Sequence, residues 1–99
     1  MNKLNLQIKS KAIEDMERIA DYIAKDNPKA AHDLLNDFYV IFDNICSFPK
    51  MGSIRKDFTY KNVRFIQVRQ NYLVVYNVEH ETIYILRVLS TYQEICNLL

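Results

Sequence analysis

Apolar residues recur every three or four positions from Ala12 to Ile45, then at every second position past Gly52. One chain therefore carries two burial rules, helical in its first half and extended in its second. Ala12, Met16, Ile19, Ala20 and Ile23 form one helical stripe, and Ala31, Leu34, Leu35, Phe38, Ile41, Phe42 and Ile45 form another. Between them lies Asp26-Asn27-Pro28, which predicts a break: Asn27 suits an N-cap, and Pro28 suits the first helical position, where no backbone N–H is needed. So short a connection makes the two helices antiparallel neighbours.

Alternation marks the strands. Leu4, Leu6 and Ile8 alternate with polar residues at the start, and Ser10 then reads as the N-cap of the first helix. Val63–Val68, Tyr72–Val78 and Thr82–Leu89 are rich in β-branched and aromatic residues. Arg69-Gln70-Asn71 and the polar stretch around His80 read as turns. Neither holds glycine, so loops longer than two residues are expected. Glu94–Leu99 reads as a short closing helix. The expected fold is α+β in the order β-α-α-β-β-β. The helix hairpin lies on one face of a small antiparallel sheet, and residues 1–99 form one domain.

Gly52 is the only glycine and Pro49 one of two prolines, and both sit in SFPKMGSIRK at 47–56. A phosphate-binding loop needs several glycines so that successive N–H groups can approach the anion, and this stretch has one. It reads instead as a corner: Pro49 stops the second helix, and Gly52 takes a backbone conformation that other residues resist.

Charge is unevenly spread on a chain of net charge +1. Residues 1–45 hold six Lys/Arg against eight acids, a balance of −2. Within 46–75, Lys50, Arg55, Lys56, Lys61, Arg64 and Arg69 face only Asp57, a local +5. Such an excess suits an anionic partner, either a phosphate backbone or an acidic polypeptide, or else it guards a solvated strand edge. Arg64 and Arg87 each interrupt an apolar strand, so each requires a partner or a wet groove.

Other chemistry has little to stand on. Cys46 and Cys96 lie among apolar neighbours and read as buried thiols, and no Cys/His spacing suits zinc. Ser47, Ser53 and Ser90 lack an evident histidine base, since His32 falls on a helix and His80 in a turn. The acids fall mostly on helix surfaces. No cofactor or metal is expected. The first residues lack the apolar core of a signal peptide and no apolar run reaches the ~20 residues of a membrane span, so a cytoplasmic location is expected.

In order and spacing, the chain resembles the RelE/ParE superfamily of bacterial toxin–antitoxin modules. The first helix follows A-x-x-D-L-x-x-I-x-x-Y-I at Ala12, Asp15, Met16, Ile19, Tyr22 and Ile23. N-P-x-x-A appears at Asn27, Pro28 and Ala31, and P-x-x-G-x-x-R at Pro49, Gly52 and Arg55. The strands carry v-R-x-l-x-v at Val63, Arg64, Ile66 and Val68, Y-x-x-x-Y-x-V at Tyr72, Tyr76 and Val78, and I-L-R-V-L at 85–89.

The resemblance implies a toxin silenced by a cognate antitoxin. ParE-type members poison DNA gyrase, and RelE-type members cleave mRNA on the ribosome. Leu73 stands where ribonuclease-type members carry arginine, and Ser90-Thr91-Tyr92-Gln93 replaces the family's common H-x-R-R ending, which leaves general acid–base chemistry short of groups. The ParE reading is therefore preferred, with Lys50, Arg55, Lys56, Arg64, Arg69, Tyr72 and Arg87 expected to bind a partner. The alternative is a metal-independent endoribonuclease using Arg64, Arg69, Arg87 and Tyr92. A third is a degenerate domain that binds antitoxin without toxicity.

Overall fold

The computed structural model describes residues 3–56 and 62–90. Its elements are β1 (Asn5–Ile8), α1 (Ser10–Ala24), α2 (Pro28–Ser47), β2 (Arg64–Val68), β3 (Tyr72–Glu79) and β4 (Thr82–Leu89). This is the expected α+β order. The closing helix expected at 94–99 lies outside the described residues.

The four strands form one sheet in the order β1-β4-β3-β2. β2, β3 and β4 make the antiparallel meander, whereas β1 runs parallel to β4, with Asn5 opposite Thr82 and Ile8 opposite Ile85. The sheet is thus mixed. A parallel pair needs a long connection, and the helix hairpin with the rest of the meander supplies it here.

Local rules explain most boundaries. Asn27 caps α2 as expected, its side-chain oxygen accepting from the Ala30 N–H at 3.1 Å, with Pro28 following at the first helical position. Ser10 is not the cap of α1. Lys9 holds that place in an extended conformation, without a side-chain cap. Its N–H donates to the Ile85 carbonyl at 2.9 Å, which keeps it in line with β1, and its carbonyl accepts the first helical bond from Ile13 at 3.1 Å.

The β3–β4 connection is also tighter than expected. Glu79 pairs with Thr82, so only His80 and Glu81 turn the chain, with φ of 48° and 63°. Two consecutive positive φ values are what a two-residue I′ turn requires, and strand pairing imposes them on residues that do not favour them. The β2–β3 connection is longer, as expected, running through Arg69, Gln70 and Asn71.

Ala12, Met16 and Ile19 of α1 and Leu34, Phe38, Phe42 and Ile45 of α2 pack against Val68, Val74, Tyr76, Ile83, Ile85 and Val88. Val63, Phe65, Val75 and Leu89 form a second, smaller cluster. Phe65 and Val75 alternate along their strands with members of the first cluster, which places the second on the opposite face. Cys46 is a buried free thiol. Burial, reinforced by Asp43, pushes that thiol's pKa up.

Candidate functional site

β3 and β4 slip register by one residue. Val75 faces Arg87 but Tyr76 faces Ile85, so Leu86 has no residue opposite it. Such a bulge re-aims the side chains next to it. Leu86 packs with the smaller cluster, while the Arg87 guanidinium reaches across to α1. There its Nε donates to Asp15 Oδ2 at 2.7 Å and its Nη2 to Oδ1 at 3.0 Å. The Val88 N–H donates to the same carboxylate at 3.0 Å, and Arg18 approaches from the next turn at 3.3 Å.

Asp15 is only 1% exposed. Burial alone would push its carboxyl pKa up. The Arg87 hydrogen bonds, the Val88 amide and the charges of Arg87 and Arg18 outweigh that and hold it below the usual carboxylate range. The sequence marks Asp15 only as a position of the first-helix motif and gives it no structural role, since the acids read mostly as solvated helix surface. The available signal was its position inside the apolar stripe, between Ala12 and Met16.

The SFPKMGSIRK corner is held from beneath by two side chains of the sheet. The Gly52 N–H donates to Tyr76 Oη at 2.9 Å, and the Tyr76 hydroxyl donates to the Pro49 carbonyl at 2.7 Å. Arg64 Nη1 donates to the Gly52 carbonyl at 2.7 Å. Ser53 then bridges to Phe65 through a reciprocal pair of backbone bonds at 2.9 and 2.8 Å. Burial raises the Tyr76 phenol pKa, against the opposing pull of the Gly52 amide and the Arg64 charge, so the hydroxyl stays protonated as a donor.

Gly52 has no positive φ, contrary to the expectation of a special backbone conformation. Its requirement is space. A Cβ there would lie 2.7 Å from Tyr76 Cε1, 2.8 Å from Tyr76 Oη and 3.1 Å from Arg64 Cβ. Close approach, rather than dihedral freedom, is what glycine supplies.

A third arginine binds elsewhere again. Arg69, at φ 54° in the β2–β3 turn, donates from Nε to Asp37 Oδ2 of α2 at 2.7 Å. Nearby, Tyr72 is half-buried with its ring edge-on to Phe38, centroids 5.7 Å apart. Tyr72 also lines an open groove of about 410 Å³ with Arg18, Ile19, Tyr22, Ile23, Asn71 and Ser90.

Of the seven residues expected to bind a partner, Tyr72 lies in this groove and the six cations fall into two groups. Lys50, Arg55 and Lys56 lie on the exposed side of the corner. Arg64, Arg69 and Arg87 tie the sheet to the corner, to α2 and to α1 respectively. Tyr92 lies outside the described residues. Among the described residues, no group of three His, Cys, Asp or Glu could hold a metal ion, and no helix is long and apolar enough to cross a membrane.

Residues 6–95 match the family model of the ParE toxin of the type II toxin–antitoxin system parDE. No curated protein sequence matches the chain. Among solved structures, the fold resembles that of the chromosomal ParDE toxin–antitoxin system from P. aeruginosa. The identity is 21% and the TM-score 0.75, with 90% of this chain and 97% of that one covered. It also resembles the toxin–antitoxin complex RelBE2 from Mycobacterium tuberculosis, at 18% identity and TM-score 0.60, covering 90% of this chain and 99% of that one.

Proposed function

The chain belongs to the ParE toxin family of type II toxin–antitoxin systems, and from that premise we propose that it arrests growth by binding DNA gyrase in the cytoplasm. In this reading it catalyses no reaction and is silenced by a cognate antitoxin. The observation that carries the reading is the employment of the three arginines suited to phosphate chemistry. Arg64 holds the corner, Arg69 holds α2 and Arg87 holds α1, each at 2.7 Å from its acceptor. An arginine that clamps a reacting phosphate must instead present its donors to the ligand.

Binding needs only a shaped and charged surface. Lys50, Arg55 and Lys56 provide the exposed charge, while Arg64, Arg69 and Arg87 set the geometry behind it. The antitoxin's amphipathic segment lies in the groove between α1 and Tyr72, where Ile19, Ile23 and the two tyrosine rings offer apolar contact and Arg18 offers charge.

Expression without antitoxin tests the reading. Growth arrest with an SOS response and inhibited supercoiling is expected, whereas rapid mRNA cleavage would overturn it in favour of a ribonuclease.

A further inference from the structure

Nine large hydrophobic residues are exposed among the described residues, and three of them, Phe48, Met51 and Ile54, fall in the corner. Phe48 is the most open of the three at 63%. They interleave with Lys50, Arg55 and Lys56, and the sequence holds no acid between Asp43 and Asp57. A segment that only reversed the chain would have no reason to expose three large apolar side chains at three-residue intervals. Nor is this a loose loop: Tyr76 binds it at two backbone atoms and Arg64 at two more, and Ser53 is bridged to β2. The surface is held in shape before any partner arrives, which lowers the ordering cost of association.

We propose that this corner is the surface through which the toxin engages its target, and that it fits an acidic cleft with apolar pockets on a folded protein. The inference rests on the toxin reading above and gives that reading a contact surface. An exposed aromatic and two aliphatic anchors rimmed by cations match the anatomy of a protein interface, in which a few apolar residues carry the affinity and charges steer the encounter. A nucleic acid fits less well. Phosphates gain nothing from Phe48, Met51 or Ile54, and the exposed Glu14, Glu17 and Asp21 of α1 oppose a long polyanion. An extended antitoxin segment seeks a groove, and the groove beside Tyr72 shares no residue with the corner.

Two double variants test the proposal, Phe48→Ser/Ile54→Ser and Lys50→Glu/Lys56→Glu, both made at exposed positions and checked for unchanged thermal unfolding. Each is assayed for growth arrest and for affinity towards gyrase, antitoxin, RNA and DNA beside the wild-type chain. The expected result is wild-type affinity for antitoxin, loss of growth arrest, and a fall in gyrase affinity of about a hundredfold or more. Variants that arrest growth as well as wild type overturn the proposal. So do variants that stay toxic but escape the antitoxin, which would make the corner the antitoxin's face, and variants whose only loss is binding to RNA or DNA. A wild-type chain that arrests no growth removes the toxin reading and this inference together. That result is distinct from a toxic wild type with equally toxic corner variants, which removes this inference alone.

Discussion

Arg87 reaches 72 positions back along the chain to hold Asp15, with Nε at 2.7 Å and Nη2 at 3.0 Å from the two carboxylate oxygens. Its neighbour Val88 donates a backbone N–H to the same carboxylate, so one buried acid fixes both the side chain and the main chain of β4 against α1. The Asp15 side chain is 2% exposed and that of Arg87 26%. Removing the acid therefore takes the carboxylate partner from a mostly buried cation and from an amide together.

Asp15→Ala should destabilise the fold by about 3 kcal/mol, the usual cost of breaking a buried pair by removing one partner. Urea unfolding measures this directly. Asp15→Leu combined with Arg87→Met should recover part of the loss, because the apolar pair removes the cation together with its carboxylate partner. A double variant less stable than the sum of its single variants would contradict that account.

The same carboxylate sets an acid limb. Its folded pKa lies below the unfolded value of about 3.9, so the unfolded chain binds more protons in acid. Its contribution is full above the unfolded pKa and is lost as pH falls through the folded one. Stability measured from pH 7 down to pH 2 should fall steeply below about pH 4 in the wild type. In Asp15→Asn that limb should be shallower from a lower plateau.

Gly52→Ala should destabilise by about 2 kcal/mol through overpacking, since the added carbon meets the Tyr76 ring at 2.7 Å. Tyr76→Phe removes two hydrogen bonds and should cost about 1–2 kcal/mol, leaving the Gly52 N–H without its acceptor. The two effects should fall short of additivity in the double variant, because both act on one contact. Independent, additive losses would mean that Gly52 and Tyr76 do not share the corner as described.

His80 and Glu81 occupy left-handed backbone at a cost that asparagine and glycine largely avoid. His80→Asn/Glu81→Gly should therefore stabilise the chain by about 1 kcal/mol, with toxicity unchanged. Denaturant midpoints decide it, and a loss of stability would mean that the turn is not of the I′ kind.

What the sequence makes legible is whatever depends on near neighbours. The helical stripes, the Asn27-Pro28 start of α2 and the meander could be read because periodicity and capping act within a few residues. The positions that escaped reading depend on contacts across the fold. Gly52 looks like a turn glycine until Tyr76, 24 positions away, is seen against it. His80-Glu81 looks like a long loop until strand pairing tightens it, and no local signal marks Leu86 as the residue to bulge. Arg64 and Arg87 were legible as cations needing partners, but the partners, a corner carbonyl and a buried aspartate, were not. Asp15 was hidden by its type, since an acid early in a helix ordinarily answers the helix dipole and solvent.

The central claim is that this toxin acts by binding gyrase rather than by cutting RNA. Its most direct test is a supercoiling assay with purified gyrase and relaxed plasmid, run beside translated mRNA with the same toxin preparation. Inhibited supercoiling that antitoxin reverses, with the mRNA intact, is the predicted result. Cleaved mRNA with supercoiling untouched would contradict it.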